Sequence, residues 1–423
     1  MRVFRSEDHQ DLESLRKSLR WDFWLEEGPV EEVREIIAQV GRDGDRALVE
    51  LTRRFDGVDL AARGLRVSAK ELEGSADAVE RRFADAVKAA AKSITAFHRQ
   101  QSWESQFWES DEGARIGQLV RPLRRVGIYV PGGGAAYPST AMMTVIPAKV
   151  AGVGELAVCV PPDTEGEISP FTLYALQVMG VKEVYRLGGA QAVAALALGT
   201  ETIRPVDKVV GPGNIYVTLA KKEVFGCVGI DMLAGPSELV VLADAEADPE
   251  YVALEMLAQL EHGSGARCCL VTTSEGLLQG VERRLDEALG GRGASRPPGI
   301  AAALVRDLEE GTRLVDLLAP EHLALAVADA TGALSRIRNA GAIFLGSESP
   351  VALGDYAVGV NHVLPTKGAA RFSSPLGVYD FIKRSNIVLS SPRANRALGP
   401  VVAALAEVEG FANHAEAMRR RIH

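Results

Sequence analysis

The sequence predicts an α/β protein made of two units, each built on a parallel sheet. Short runs rich in β-branched residues alternate with helix-length segments from about residue 126 to residue 345, as expected of strands covered by helices on both faces. Two of those runs end in glycine-rich breaks that open toward a helix, Tyr129-Val130-Pro131-Gly132-Gly133-Gly134 and Gly211-Pro212-Gly213-Asn214. At 423 residues the chain is also long for a single hydrophobic core.

The elements follow in order. Residues 29–97 read as helical, because in 30–37 and 79–94 apolar residues recur three and four apart with charged residues opposite. Strands are expected at 117–120 and 126–130. A first alternating series places helices at 140–152, 171–180, 190–198 and 215–225, with strands at 156–160, 183–187 and 208–210 between them. A second series begins with a strand at 239–242 and a helix ending at His262. It continues with strands at 268–272, 300–305, 323–327 and 342–345, separated by helices at 281–289, 312–318 and 334–339. Residues 396–422 return to helix. The helical N-terminal region is expected to pack on one of the two units, and no internal repeat or low-complexity linker interrupts the chain.

Composition narrows the function. Hydrophobic residues at 47% and charged residues at 24% describe a folded, soluble protein rather than a disordered one. The net charge of −9, with no concentrated basic stretch, argues against nucleic-acid binding. An anionic cofactor would have to be held by backbone N–H groups and helix ends. Cys159, Cys227, Cys268 and Cys269 lack metal-knuckle spacing, and the adjacent pair Cys268-Cys269, in an apolar run, reads as small core filling in a reducing compartment. The first residues carry no apolar signal core, and no apolar run reaches the ~18 residues of a membrane span. A cytoplasmic location is expected.

Four of the seven histidines stand beside acid or amide residues: Gln259-Leu260-Glu261-His262-Gly263, Pro320-Glu321-His322-Leu323, Gly354-Asp355-Tyr356 leading to Asn361-His362, and Glu409-Gly410-Phe411 leading to His414. Imidazole, carboxylate and amide oxygen are the groups of a zinc site with acid–base chemistry. Asp248-Pro249-Glu250 is a strong helix start, which puts Gln259 and His262 three apart near that helix's end, on one face. A single ion could bridge them, but on this pair alone a polar helix end with a capping histidine is the favoured explanation. Pro320 must interrupt a helix, so Glu321 and His322 fall in a crossing loop at a strand's beginning. They are proton handlers there or a solvated loop pair, and the residues alone do not choose. Asp355 and His362 lie in a long aperiodic stretch of the kind that tends to be functional. The glycine breaks suit phosphate or ribose, but turn chemistry alone also accounts for them.

Together these motifs resemble the histidinol dehydrogenase family over nearly the whole chain. The segments that carry the resemblance are Arg125-Val126-Gly127-Ile128-Tyr129-Val130-Pro131-Gly132-Gly133, Gly188-Gly189-Ala190-Gln191-Ala192, Gly211-Pro212-Gly213-Asn214 and Ala234-Gly235-Pro236-Ser237-Glu238, followed by the four histidine motifs in the family's order. The resemblance implies two incomplete Rossmann-like units, the second inserted in the first, with helical N- and C-terminal segments and a homodimer. It divides the chain into an N-terminal helical arm at 1–22, a first α/β domain at 23–128 plus 238–375, an NAD-binding domain at 129–237 and a helical tail at 376–423 that reaches the neighbouring subunit. By matching positions, Gln259, His262, Asp355 and the partner subunit's His414 would bind one zinc ion. Tyr129, Gln191 and Asn214 would contact NAD. Ser237, His362 and Glu409 would contact substrate, together with the metal-site residues and His322. Glu321 and His322 would carry the proton chemistry. The family's reaction is the oxidation of L-histidinol through the aldehyde to L-histidine with two NAD, the last steps of histidine biosynthesis. The tail Phe411-Ala412-Asn413-His414 and the stretch Gly134-Ala135-Ala136-Tyr137-Pro138 depart from the family's pattern without altering a ligand.

The implied chemistry is coherent. Two imidazoles, one carboxylate and one amide leave zinc positively charged, and its shell must expand to admit the substrate. Manganese or cobalt would suit the same donors. The nearest rival reading is a related zinc- and NAD-dependent enzyme for another small amino or sulfonated alcohol. Further off stand a zinc hydrolase using Glu321, for which the glycine loops have no purpose, and a non-catalytic nucleotide-binding protein.

Overall fold

The structure is a computed structural model that describes residues 1–19, 29–133, 135–263, 265–290 and 299–422. Gly134, the expected boundary at 22 and 23, and His423 lie outside the described residues. The chain opens with β1 (Arg2–Arg5) and α1 (Leu12–Ser18). Three helices follow, α2 (Val30–Asp56), α3 (Ala69–Gly74) and α4 (Arg81–Arg99), then β2 (Gln106–Glu109) and β3 (Arg115–Pro122). Alternation starts with β4 (Arg125–Tyr129), α5 (Pro138–Ala151), β5 (Glu155–Val160), α6 (Pro170–Val178) and β6 (Glu183–Arg186). It goes on with α7 (Gly189–Leu198), β7 (Lys208–Val210), α8 (Ile215–Val224) and β8 (Gly229–Ile230). The second series is β9 (Glu238–Ala243), α9 (Pro249–Leu260), β10 (Arg267–Thr272), α10 (Glu275–Ala288) and β11 (Ile300–Leu304). It is completed by α11 (Leu308–Leu318), β12 (His322–Ala326), α12 (Ala330–Leu334) and β13 (Ala342–Leu345). Beyond it come α13 (Val351–Tyr356), β14 (Ile382–Leu389), α14 (Pro392–Val408) and α15 (Ala412–Arg419).

Two parallel sheets result, with strand orders β6-β5-β4-β7-β8 and β1-β11-β10-β9-β12-β13. Because β1 belongs to the six-stranded sheet, the five-stranded unit is inserted within the other, as the fold class implies. Each sheet is covered on both faces. Along β9, Leu239, Val241 and Ala243 face a core under α9 and α10, while Val240 and Leu242 face a core under α1 and α11. This two-residue alternation, apolar on both sides, is why β9 reads as one unbroken hydrophobic run.

Several expectations are corrected. The arm at 1–22 is not purely helical, since β1 pairs with β11, Arg2 beside Ala301, and α1 lies against α11. Residues 30–99 do not join the six-stranded unit: α2 packs on α7 and α8, and α4 on α5, because their apolar stripes complete the two cores of the five-stranded sheet. The boundary between 128 and 129 falls inside β4, the middle strand of that sheet. The tail at 376–423 is not wholly helical either. It begins with β14, which pairs antiparallel with β3, and β3 in turn pairs with β2. The helix expected at 334–339 ends instead at Leu334, where α12 stops, and the aperiodic stretch contains α13. Among the described residues no helix is long and apolar enough to cross a membrane.

Candidate active site

The acid–imidazole pair sits at the amino end of the six-stranded sheet. Helix α11 stops at Leu318, and Ala319 follows in left-handed conformation (φ 47°), which costs a residue with a Cβ. Pro320 then prevents any further turn, so Glu321 and His322 enter β12 from a tight, buried corner. Glu321 Oε2 accepts the backbone N–H of Glu238 at 2.8 Å, and the backbone oxygen of Glu238 accepts from His322 Nδ1 at 3.2 Å. Strands β9 and β12 are neighbours with His322 beside Leu239, which brings these groups together.

His322 is 3% exposed. Its bonded Nδ1 is also 3.5 Å from Glu321 Oε2, and its Nε2 lies 3.5 Å from Asp355 Oδ1, an ion-pair distance without a hydrogen bond. Nε2 is buried and has no hydrogen-bond partner among the described residues. Burial opposes the charged ring, but Glu321 and Asp355 outweigh it and push the imidazole up to about 10. For Asp355, burial acts against ionisation, and His322, His362 and His262 more than reverse it, lowering its pKa.

Asp355 comes from α13, and its backbone oxygen accepts from His362 Nδ1 at 2.8 Å. His362 Nε2 points at Thr140 Oγ1, 3.5 Å away at the start of α5, so it lies where the two units meet. Burial lowers the His362 pKa more than Asp355 raises it, which favours a neutral ring. Helix α9 approaches from the other side, and Glu255 on it accepts the N–H that begins α13, Val351 N–H, at 3.2 Å. One turn later Gln259 is 2% exposed, and its amide nitrogen has no partner among the described residues. His262 follows the helix and is exposed, yet its charge reaches Asp355. Ser237 is partly buried immediately before β9.

Glu321, His322, Asp355 and His362 are thus assembled, with Gln259 on the adjoining helix and His262 just beyond its end. Glu409 and His414 are not. Both are exposed on the α14–α15 hairpin, and among the described residues neither makes a hydrogen bond or ion pair with the others. Nor do the described residues gather three or more His, Cys, Asp or Glu in a metal-holding group. The expected quartet contributes only His262 and Asp355 of those types from this part of the fold. Two residues of the site escape the sequence reading. Glu238 looks like an ordinary strand start, and Glu255 carries only its four-residue spacing from Gln259 as a signal.

The three expected nucleotide contacts lie on the five-stranded sheet, whose strand order reverses between β4 and β7. Loops at the carboxyl ends of strands beside such a reversal are where open α/β sheets take ligands. Both glycine breaks are there, and a cleft of about 260 Å³ opens beyond β4 and β5, lined by Gly132, Gly133, Pro161 and Thr172 among others. Tyr129 and Gln191 are buried. The Tyr129 hydroxyl accepts Gly189 N–H at 3.3 Å beneath the start of α7, and burial raises its pKa. Asn214 caps α8 by accepting Val217 N–H at 3.2 Å. Gly211 has φ +113°, and a Cβ there would collide with the Tyr129 carbonyl oxygen. Its N–H donates to Asp231 at 2.8 Å and its C=O accepts from Lys221 Nζ at 2.9 Å, while Lys221 and Asp231 form an ion pair with both side chains buried. The loop is clamped from both sides.

Fold and site define an α/β enzyme with a buried acid–base centre on one parallel sheet and a glycine-lined cleft on the other. The profile of the histidinol dehydrogenase family matches residues 26–422. A histidinol dehydrogenase of Syntrophotalea carbinolica is 48% identical over 402 residues, covering 94% of this chain and 93% of its own. One from Moorella thermoacetica is 48% identical over 410 residues, covering 95% and 97%. The crystal structure of histidinol dehydrogenase from Elizabethkingia anophelis superposes with a TM-score of 0.93 at 35% identity, covering 100% of this chain and 98% of that one. The chain belongs to the histidinol dehydrogenase family.

Proposed function

We propose that the protein oxidises L-histidinol, by way of L-histidinaldehyde, to L-histidine, consuming two NAD in the closing steps of histidine biosynthesis. The observation that carries this reading is the buried, partnerless Nε2 of His322, held beside Asp355 while its other nitrogen is fixed by Glu238. Glu321 and Asp355 favour the charged ring, so Nε2 would serve as the base once a cation bound at Asp355 offsets that carboxylate; it would then take the proton of a substrate hydroxyl. Glu321, fixed by a backbone N–H, takes the proton of the water that attacks the aldehyde.

The donors fit a zinc ion: a buried amide without a partner at Gln259, a carboxylate held ionised at Asp355, and the imidazole of His262. His414 would complete the set from the α14–α15 hairpin of a second copy, which would also bring Glu409 to the substrate. Zinc bound there would supply a positive charge that orients the substrate's amine and imidazole. NAD would sit on the glycine-lined loops at the sheet reversal and accept the hydride of each oxidation, with Asn214 at the loop and the buried Tyr129 and Gln191 beneath it. Ser237 and His362, flanking the acid–imidazole pair, would contact the substrate directly.

Counting NADH formed per histidinol consumed, with and without a chelator, tests the reading. Two NADH are expected, and a strong loss after chelation. A ratio of one would remove the second oxidation and the water-activating part of Glu321. His322→Gln is expected to lower kcat by about 10²- to 10⁴-fold, and undiminished turnover would remove the base.

A further inference from the structure

Glu238 begins β9, directly after Ser237, and every polar group it owns is committed within the site. Its N–H holds Glu321 and its C=O holds His322 Nδ1. Both carboxyl oxygens accept one N–H, that of Lys367, at 3.1 Å each. Beside this bond Gly235 N–H donates to Thr366 Oγ1 at 2.6 Å, so residues 235–238 and 366–367 are stitched together. Lys367 has φ 53°, a left-handed conformation that costs a residue with a Cβ and persists only when its surroundings hold it. Its N–H is the one that donates to Glu238. That segment begins at Asn361-His362, so one side chain ties the loop of His362 to the strand that grips Glu321 and His322.

The Glu238 carboxyl is 4% exposed and shares a single N–H between two oxygens, poor solvation for an anion. The charged groups that reach it are Glu321 from the corner before β12, Arg267 at the start of β10 and Lys367 itself; His322 meets only its backbone. Burial, reinforced by Glu321, outweighs the two cations and pushes the carboxyl up to about 8. The shift keeps the proton on this carboxyl to a higher pH than on an ordinary glutamate.

We propose that Glu238 is a positioning residue of the reaction, its side chain tying the loop of His362 to the strand whose backbone fixes Glu321 and His322. The inference rests on the reading of Glu321 and His322 as the reacting pair. Glu238→Ala removes the tie and is expected to lower kcat about tenfold or more. Glu238→Gln, a neutral side chain of the same shape, recovers most of that loss at pH 7. It should also abolish a pH dependence of stability. A carboxyl raised from 4.5 to about 8 stabilises the fold fully below pH 4.5 and loses that contribution as pH rises to about 8. Melting temperature should therefore fall across this window more in the parent than in Glu238→Gln.

Three results would overturn the proposal: a folded Ala variant as active as the parent, a Gln variant no better than Ala, or identical melting profiles for Gln and parent. Glu321→Gln serves as a separate arm. Full turnover by that variant would remove the reacting pair itself, whatever the Glu238 variants do.

Discussion

Asp56, at the end of α2, shows how burial alone sets the behaviour of a single residue. Its Oδ2 is enclosed without a hydrogen-bond partner among the described residues, and burial pushes the carboxyl up to about 6. A carboxyl raised in the folded state contributes stability below its ordinary value near 3.8 and loses it as pH rises to about 6. At pH 7.5 the buried charge is a burden, so Asp56→Asn should be more stable there by on the order of 1 kcal/mol and no better at pH 4. Urea unfolding at the two pH values checks this, and a destabilised variant at pH 7.5 would contradict it. Glu321 and His322 are legible in the sequence because proline, acid and imidazole stand in one short motif. Glu238 and Glu255 are not, because their burial is decided by segments far along the chain, the loop through Lys367 and helix α13. No local spacing encodes those partners.

Among the elements, the loop from Gly211 to Asn214 depends most on a single interaction. The buried pair Lys221–Asp231 holds both its N–H and its C=O. Removing one member of a buried ion pair leaves the other uncompensated, at a cost of about 3–5 kcal/mol. Lys221→Met should therefore destabilise the protein by about that amount, and adding Asp231→Leu should restore part of it. Thermal unfolding of the single and double variants measures this, and additive losses would show that no such coupling exists. The alternating elements on either side of this loop are legible because their strands are apolar on both faces. Strand β14 is not: Lys383, Arg384, Ser385 and Asn386 lie exposed in it, so no apolar alternation marks it. The short β1 and β2 escape for the related reason that four residues carry too little pattern.

At the scale of the whole molecule, apolar surface concentrates on the C-terminal hairpin and the antiparallel sheet. Val401, Leu405, Val408 and Phe411 are exposed on or beside α14, as are Trp108 on β2 and Val388 and Leu389 on β14. Val408 is 89% exposed. A charge there is harmless to an isolated chain and damaging if a second copy covers it. Val408→Glu is expected to shift the mass in light scattering from that of two 45.2 kDa chains to one and to lower activity with it. A parent protein that already runs as a single chain would end the shared-site reading, since His414 and Glu409 stand apart from the other residues within one chain. The pairing of Arg2 beside Ala301 also bears on how the molecule is made. A ribosome releases β1 first but must wait for β11 before that edge of the six-stranded sheet can close. The inserted five-stranded unit has all its strands by Ile230, although one of its cores is completed only by Val363, Leu376 and Phe381, so its sheet can form during synthesis while β1 waits as an unpaired edge. Nascent chains halted soon after β8 should therefore already protect β4 to β8 from protease and leave residues 2–5 open to it.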